Sequence, residues 1–197
     1  MFRSEKTLRG IENQYYRATY KSMGFTSDDL ERPIIGIANS WTEGVPGHFN
    51  LRQVAQKVRD GINRAGGTAV EFGTIACCDG MAQGHDGMHF ILPSREIISD
   101  SIETFAQAQL LDAIVLLGSC DKIVPGMLMA AARLDIPCIL LPGGPMEGGI
   151  VFDGRQSDQT SSAEALGMLS ANKITEEEYK KLEDLSCPSC GSCSYLG

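Results

Sequence analysis

Ala113-Ile114-Val115-Leu116-Leu117-Gly118-Ser119-Cys120-Asp121-Lys122 is the stretch on which the fold turns. An apolar run stops at a glycine, and a thiol, a carboxylate and an amine then follow in consecutive positions. A run that is apolar without alternation reads as a strand buried on both faces, the habit of parallel sheets. Pro125 suits a first helical position and leads Met127 to Leu134, so a helix follows the strand directly. Three more segments share this plan: Ile34 to Ser40, Ala69 to Cys77 and Ile136 to Leu141.

Helical patterns separate these strands. Leu51, Val54, Ala55, Val58 and Ile62 recur at helical spacing, and Gly66-Gly67 ends the helix. Ser94 reads as an N-cap, with Glu96 in the first turn and Ile97, Ile98, Ile102 and Phe105 as the apolar stripe. The alternation predicts an α/β fold, a mostly parallel sheet flanked by helices. The pattern changes after Gly149. Ser157 to Ser170 reads as one helix, and Thr175 with Glu178 forms a capping box that opens another. With no repeat, low-complexity segment or linker, residues 1–197 read as one domain.

Composition excludes several classes of function. The 197 residues are 43% hydrophobic, enough for one substantial core. No apolar run reaches the roughly 18–20 residues of a membrane span, and the polar, mixed-charge N-terminus is unlike a secretory signal. A formal net charge of -8 argues against a nucleic-acid partner bound through a basic surface. Seven cysteines, an odd number in a chain without an export signal, point to reduced thiols in the cytoplasm, some of them metal ligands.

In open α/β sheets, ligands bind beyond the carboxyl ends of the strands. Here those ends carry Asn39-Ser40-Trp41, Cys77-Cys78-Asp79-Gly80, Cys120-Asp121-Lys122 and Gly143-Gly144-Pro145-Met146, which points to one crevice. Asp79 and Asp121 are hard oxygen ligands suited to magnesium, while the Cys120 thiolate suits iron–sulfur or zinc. Cys187-Pro188-Ser189-Cys190-Gly191-Ser192-Cys193 sets three thiols at spacings that can converge on one centre, either a zinc knuckle or a cluster. Simpler readings stand beside these. Asp79-Gly80 alone is a turn pair, Cys77, Cys78 and Cys138 read as small core residues, and Lys122 alone reads as a surface or ion-paired lysine. His85, in a glycine-rich loop, positions a neighbour rather than binding metal.

The chain resembles the dihydroxy-acid dehydratase family, which also holds phosphogluconate and sugar-acid dehydratases. The resemblance runs in order along nearly all of it: Val45-Pro46-Gly47-His48, Asp79-Gly80 with Gly84-His85 and Gly87-Met88, Leu92 to Glu96, Cys120 to Ala130, Gly143 to Met146, and Cys187 to Cys193. It implies the N-terminal portion of a longer enzyme whose C-terminal β-rich domain is absent. It further implies Cys120 and Cys193 as ligands of an iron–sulfur cluster, with Asp79, Asp121 and a carbamylated Lys122 on Mg2+. Members with a [2Fe-2S] cluster have a cysteine where this chain has Gly47, so the resemblance favours [4Fe-4S], the third thiolate being Cys190 or Cys187, with Cys190 preferred. The implied reaction dehydrates a small 2,3-dihydroxy acid to a 2-keto acid in branched-chain amino-acid biosynthesis. A sugar-acid or phosphogluconate dehydratase is the alternative within the family, and a noncatalytic zinc module the alternative outside it. The proton-abstracting serine is expected beyond Gly197, making the isolated chain inactive, and the full-length protein is expected to be a homodimer.

Overall fold

In the computed structural model, which describes residues 2–189 and 191, four strands form one sheet: β1 (Ile34–Asn39), β2 (Thr68–Gly73), β3 (Ala113–Leu117) and β4 (Cys138–Leu141). All neighbours are parallel and the order is β2-β1-β3-β4. The α/β class and the parallel sheet expected from the apolar runs are what the structure shows.

Two layers of helix bury the strands. Ile37 of β1, Ala69 of β2 and Leu117 of β3 pack with Ala55 and flanking Val54, Val58 and Ile62 of α3 (Leu51–Arg64). The opposite faces of β1 and β3, Ile34, Ala38, Ile114 and Leu116, pack with Ile98, Ile102 and Ala106 of α5 (Ser94–Ala108) and with Ile123, Met127 and Ala130 of α6 (Ile123–Leu134). One helix on one face and two on the other follow from right-handed crossovers when the chain runs β1 to β2 and then returns past β1 to β3. That reversal makes a switch point between β1 and β3, and their carboxyl ends frame a crevice.

Helices α5 and α6 approach closely. A Cβ on Gly126 would lie 2.9 Å from the Arg95 carbonyl oxygen and 3.2 Å from Ile98 Cβ. Ahead of the sheet lie α1 (Glu5–Leu8) and α2 (Gln14–Ser22). Asp112, at the entry to β3, accepts from Ser4 N and Ser4 Oγ and from Ile34 N at 3.0, 2.7 and 2.7 Å, and so ties the N-terminal segment to the sheet.

Beyond β4 come a two-strand antiparallel hairpin, β5 (Val151–Phe152) and β6 (Arg155–Gln156), then α7 (Gln159–Ser170) and α8 (Glu176–Leu185). Capping boxes open both helices, Asp158 with Ser161 and Thr175 with Glu178.

Several expectations shift. β2 ends at Gly73, and residues 74–78 leave the sheet as irregular chain rather than continuing the strand to Cys77. Ser94 is the first residue of α5, its hydroxyl donating to Ile91 O at 2.6 Å, rather than the N-cap. Pro125 is the third residue of α6, a position whose N–H has no intrahelical acceptor in any case. Cys138 is exposed and Cys77 half-buried, so of the three cysteines read as core only Cys78 is buried. On the α3-side face of β4, Ile139 is 66% exposed. Burial on both faces therefore holds for β1 and β3 but not for β4.

Candidate metal centre

Three chain segments bring reactive side chains to the carboxyl end of the sheet. Cys78 and Asp79 stand where the chain after β2 enters α4 (Asp79–Ala82). Cys120, Asp121 and Lys122 form the link between β3 and α6, with Lys122 as its N-cap residue. The first part of the cysteine-rich run lies against the loop after β4. There Glu147 N donates to Ser189 Oγ at 3.3 Å, and a Cβ on Gly191 would strike Met146 Cα at 2.5 Å. Cys190 and Cys193 lie outside the described residues.

Cys78, Asp79 and Cys120 each offer a ligand atom within 4.8 Å of the others. Lys122 Nζ donates to Asp79 Oδ2 at 3.0 Å and to Asp121 Oδ2 at 2.5 Å, and Cys120 Sγ lies 3.4 Å from Asp121 Oδ1. Thiol and carboxylate chemistry thus meet side by side, soft ligands next to hard ones. Desolvation pushes the Asp121 carboxyl up, but hydrogen bonds from Lys122 and Cys120 and the Lys122 charge outweigh it and hold the pKa below the usual carboxylate range. The hydrogen bond to Asp121, more than offsetting desolvation and aided by Asp79, raises the Lys122 pKa.

The turn carrying Cys120 is held under tension. Cys120 is 1% exposed with φ +68°, a left-handed conformation that disfavours any residue with a Cβ. Ser119, just before it, is tied on two sides: its N–H donates to His48 Nε2 at 3.0 Å and its Oγ accepts from Gly143 N at 2.9 Å. His48 ends the short 3-10 turn Pro46–His48 and is fully buried. Burial lowers its pKa to about 4, and Nε2 must stay unprotonated to accept the Ser119 N–H.

A cavity of about 710 Å³ opens beside these groups, lined by Pro46, Cys78, Gly80, Gln159 and Thr160 of α7, and Cys187. The structure therefore brings together Asp79, Cys120, Asp121 and Lys122, and lines one cavity with both Cys187 and Cys78. Asn39 and Trp41 do not join them. They line a separate cavity of about 490 Å³ with Arg52, Arg59 and Glu71, where the Arg52 guanidinium lies 3.6 Å from the Trp41 ring centroid. His85 keeps the positioning part expected of it: Nδ1 accepts from Gly87 N at 3.0 Å.

Two site residues escaped the sequence reading. Cys78 reads as core and is buried, although its place next to Asp79 after a strand is itself a signal. His48 carried no such signal, since only the fold brings position 48 to position 119.

The soft and hard donor set fits a centre that combines thiolate-bound and oxygen-bound metal. The buried His48 Nδ1, with no hydrogen-bond partner among the described residues, fits a site completed by a further polar group.

A parallel α/β domain whose switch-point crevice gathers thiols, carboxylates and a lysine defines a metal-binding protein of mixed ligand chemistry. The chain belongs to the dihydroxy-acid/6-phosphogluconate dehydratase family, whose N-terminal family model matches residues 32–197. It is similar to the dihydroxy-acid dehydratase of Clostridium pasteurianum, 50% identical over 192 residues, 98% of this chain and 67% of that protein. It is also similar to the dihydroxy-acid dehydratases of Caldanaerobacter subterraneus subsp. tengcongensis, 54% identical, and Pyrococcus abyssi, 52% identical, each over 98% of this chain. The chain spans 34% and 35% of the length of those two relatives.

Proposed function

We propose that the chain is the N-terminal metal-binding domain of a hydro-lyase that converts a 2,3-dihydroxy carboxylic acid to a 2-keto acid. The observation that carries this is the meeting of Cys78, Asp79 and Cys120 within 4.8 Å, with Lys122 bridging Asp79 and Asp121. A structural zinc site needs neither that lysine nor those carboxylates. Cys120 and Cys193 hold an iron–sulfur cluster, [4Fe-4S] in preference to [2Fe-2S], with Cys190 as the preferred third thiolate. Asp79, Asp121 and Lys122 hold Mg2+. When bound, these groups supply Lewis acidity toward a substrate hydroxyl and carboxylate.

The chain's own residues have three tasks. Asp79 and Asp121 fix the hard-metal position. Lys122, as an ammonium, neutralises them until a cation takes its place. Carbamylation of Nζ, which joins the neutral amine to carbon dioxide and releases a proton, converts it to an anionic oxygen ligand suited to a hard cation. The cavity between α4 and α7 admits a small acid next to the thiols.

The overall change eliminates the C3 hydroxyl with the C2 proton as water, and the enol tautomerises to the ketone. A branched-chain biosynthetic substrate is preferred over a sugar acid, and the setting is the cytoplasm; no helix among the described residues is long and apolar enough to cross a membrane. The longer enzyme is read as a homodimer. The 197-residue chain holds part of the site and, reconstituted alone, is expected to lack dehydratase activity.

Analysis of iron, acid-labile sulfide and zinc in chain purified without oxygen tests this reading. Iron with matching sulfide, lost in Cys120→Ser, is the expected result. Zinc without sulfide, retained in Cys120→Ser, would overturn it in favour of a structural zinc module.

A further inference from the structure

His48 is a buried imidazole hydrogen-bonded to Ser119, the residue that precedes the proposed cluster ligand Cys120. Its Nε2 accepts the Ser119 N–H at 3.0 Å, so the ring proton of the neutral form resides on Nδ1. That Nδ1–H is fully buried with no hydrogen-bond partner among the described residues. A buried N–H left without an acceptor is costly, and folded proteins rarely leave one so. The turn that carries His48 contributes Pro46 to the cavity that Cys78 and Cys187 also line.

We infer that His48 is a positioning residue of the metal centre, its Nε2 fixing the Ser119–Cys120 turn and its Nδ1–H donating to a sulfur of the cluster or of a thiolate that binds it. The inference rests on the cluster reading above and extends it to a residue that holds no metal. Two effects follow from one ring. The Ser119 bond keeps Cys120 in its left-handed conformation with its sulfur beside Asp121. The Nδ1 donor places a partial positive charge on sulfur, which stabilises the more negative reduced cluster, since hydrogen bonds to sulfur help set cluster potential. Neighbours that orient ligands in this way change metal affinity about 10–100-fold when removed.

The test uses the 197-residue chain, loaded anaerobically with iron and sulfide, as wild type, His48→Gln and His48→Phe. Gln keeps one acceptor for Ser119 N–H and one donor for sulfur, whereas Phe keeps neither. The measurements are iron retained against a chelator, the reduction potential, and the electron paramagnetic resonance spectrum of the reduced cluster. H48F is expected to lose iron about 10–100-fold faster than wild type, with a lower potential and an altered spectrum, while H48Q stays close to wild type. Loaded H48F that matches wild type in all three overturns the role, and equal impairment of H48Q and H48F overturns it in favour of simple packing. Nitrogen-15 NMR of the metal-free wild type needs no variant, so it also decides the matter should H48F not fold. The Nδ1–H tautomer is expected, and an Nε2–H tautomer overturns the inference. A wild-type chain that takes up no iron and sulfide instead defeats the cluster reading itself, which separates the two failures.

Discussion

Lys122 Nζ lies 3.0 Å from Asp79 Oδ2, a contact that spans 43 positions of sequence and joins the exit of β2 to the exit of β3. It is made where the chain changes direction across the sheet, so the carboxylates and the lysine meet only once β1 lies between those two strands. In the metal-free protein the ammonium holds the place that a hard cation would take. Asp79→Asn should therefore weaken Mg2+ binding by at least about tenfold, through loss of an anionic oxygen ligand. Isothermal titration against Asp86→Asn as a control would check this, and equal affinities would remove Asp79 from the site.

Lys122 offers a second prediction. Its pKa is raised by the Asp121 hydrogen bond, so the neutral amine that reacts with carbon dioxide is scarce unless a cation relieves the ion pair. Bicarbonate should strengthen Mg2+ binding by wild-type chain, more so at pH 8.5 than at pH 7. Lys122→Met should show no response to bicarbonate. A wild-type affinity indifferent to bicarbonate at both pH values would count against a carbamate.

The His48 pKa of about 4 makes a claim about stability. The folded ring is neutral where the unfolded ring, near 6.5, takes up a proton. Between those values the unfolded chain binds more protons, so stability rises with pH. The contribution is present in full above pH 6.5 and is lost as pH falls toward 4. The interval of 6.5 - 4, 2.5 units, is worth up to about 3 kcal/mol at 1.36 kcal/mol per unit. Urea unfolding of metal-free wild type should show part of this loss between pH 7.5 and 5, whereas H48Q should not. The depressed carboxyls of Asp121, Asp29 and Asp158 act lower, where their protonation removes further stability.

Backbone tension at Cys120 can be measured separately from metal binding. With φ at +68°, Cys120→Gly should be more stable than Cys120→Ala by about 1–2 kcal/mol in the metal-free chain. Neither variant should retain iron. Equal stabilities would mean that the turn relaxes once the sulfur is gone.

The contact between α5 and α6 sets a limit on side-chain size. Gly126→Ala would force a Cβ to 2.9 Å from the Arg95 carbonyl oxygen, and overpacking of this kind destabilises by about 1–3 kcal/mol. Thermal unfolding should show a lower midpoint, while an unchanged midpoint would mean that the helices separate freely.

The sequence carried the sheet because parallel strands are apolar on both faces, and Ile34–Asn39 and Ala113–Leu117 are buried as that pattern requires. It also carried the capping box at Thr175 and Glu178, a purely local signal. Helix α2 leaves a weaker signal, since none of its residues is fully buried and it meets the core through the partly buried Tyr20. The β5–β6 hairpin has two residues per strand, too short for any alternation. At the site, Asp79, Asp121 and Lys122 stood out as reactive types at strand ends, and the fold brings them together. The bond from Ser119 N–H to His48 spans 71 positions, and no local pattern records such a partnership.

β4 is hydrogen-bonded to β3 alone among the sheet strands of the described residues, so its other edge has no strand partner there. Edges of that kind serve as templates for foreign strands. Here the edge is bordered by exposed Ile139 and by the exposed thiol of Cys138. A free, exposed thiol at that edge is open to oxidation by air, which joins two molecules through a Cys138–Cys138 disulfide. Reducing conditions thus protect more than the metal centre; they also keep the preparation monodisperse.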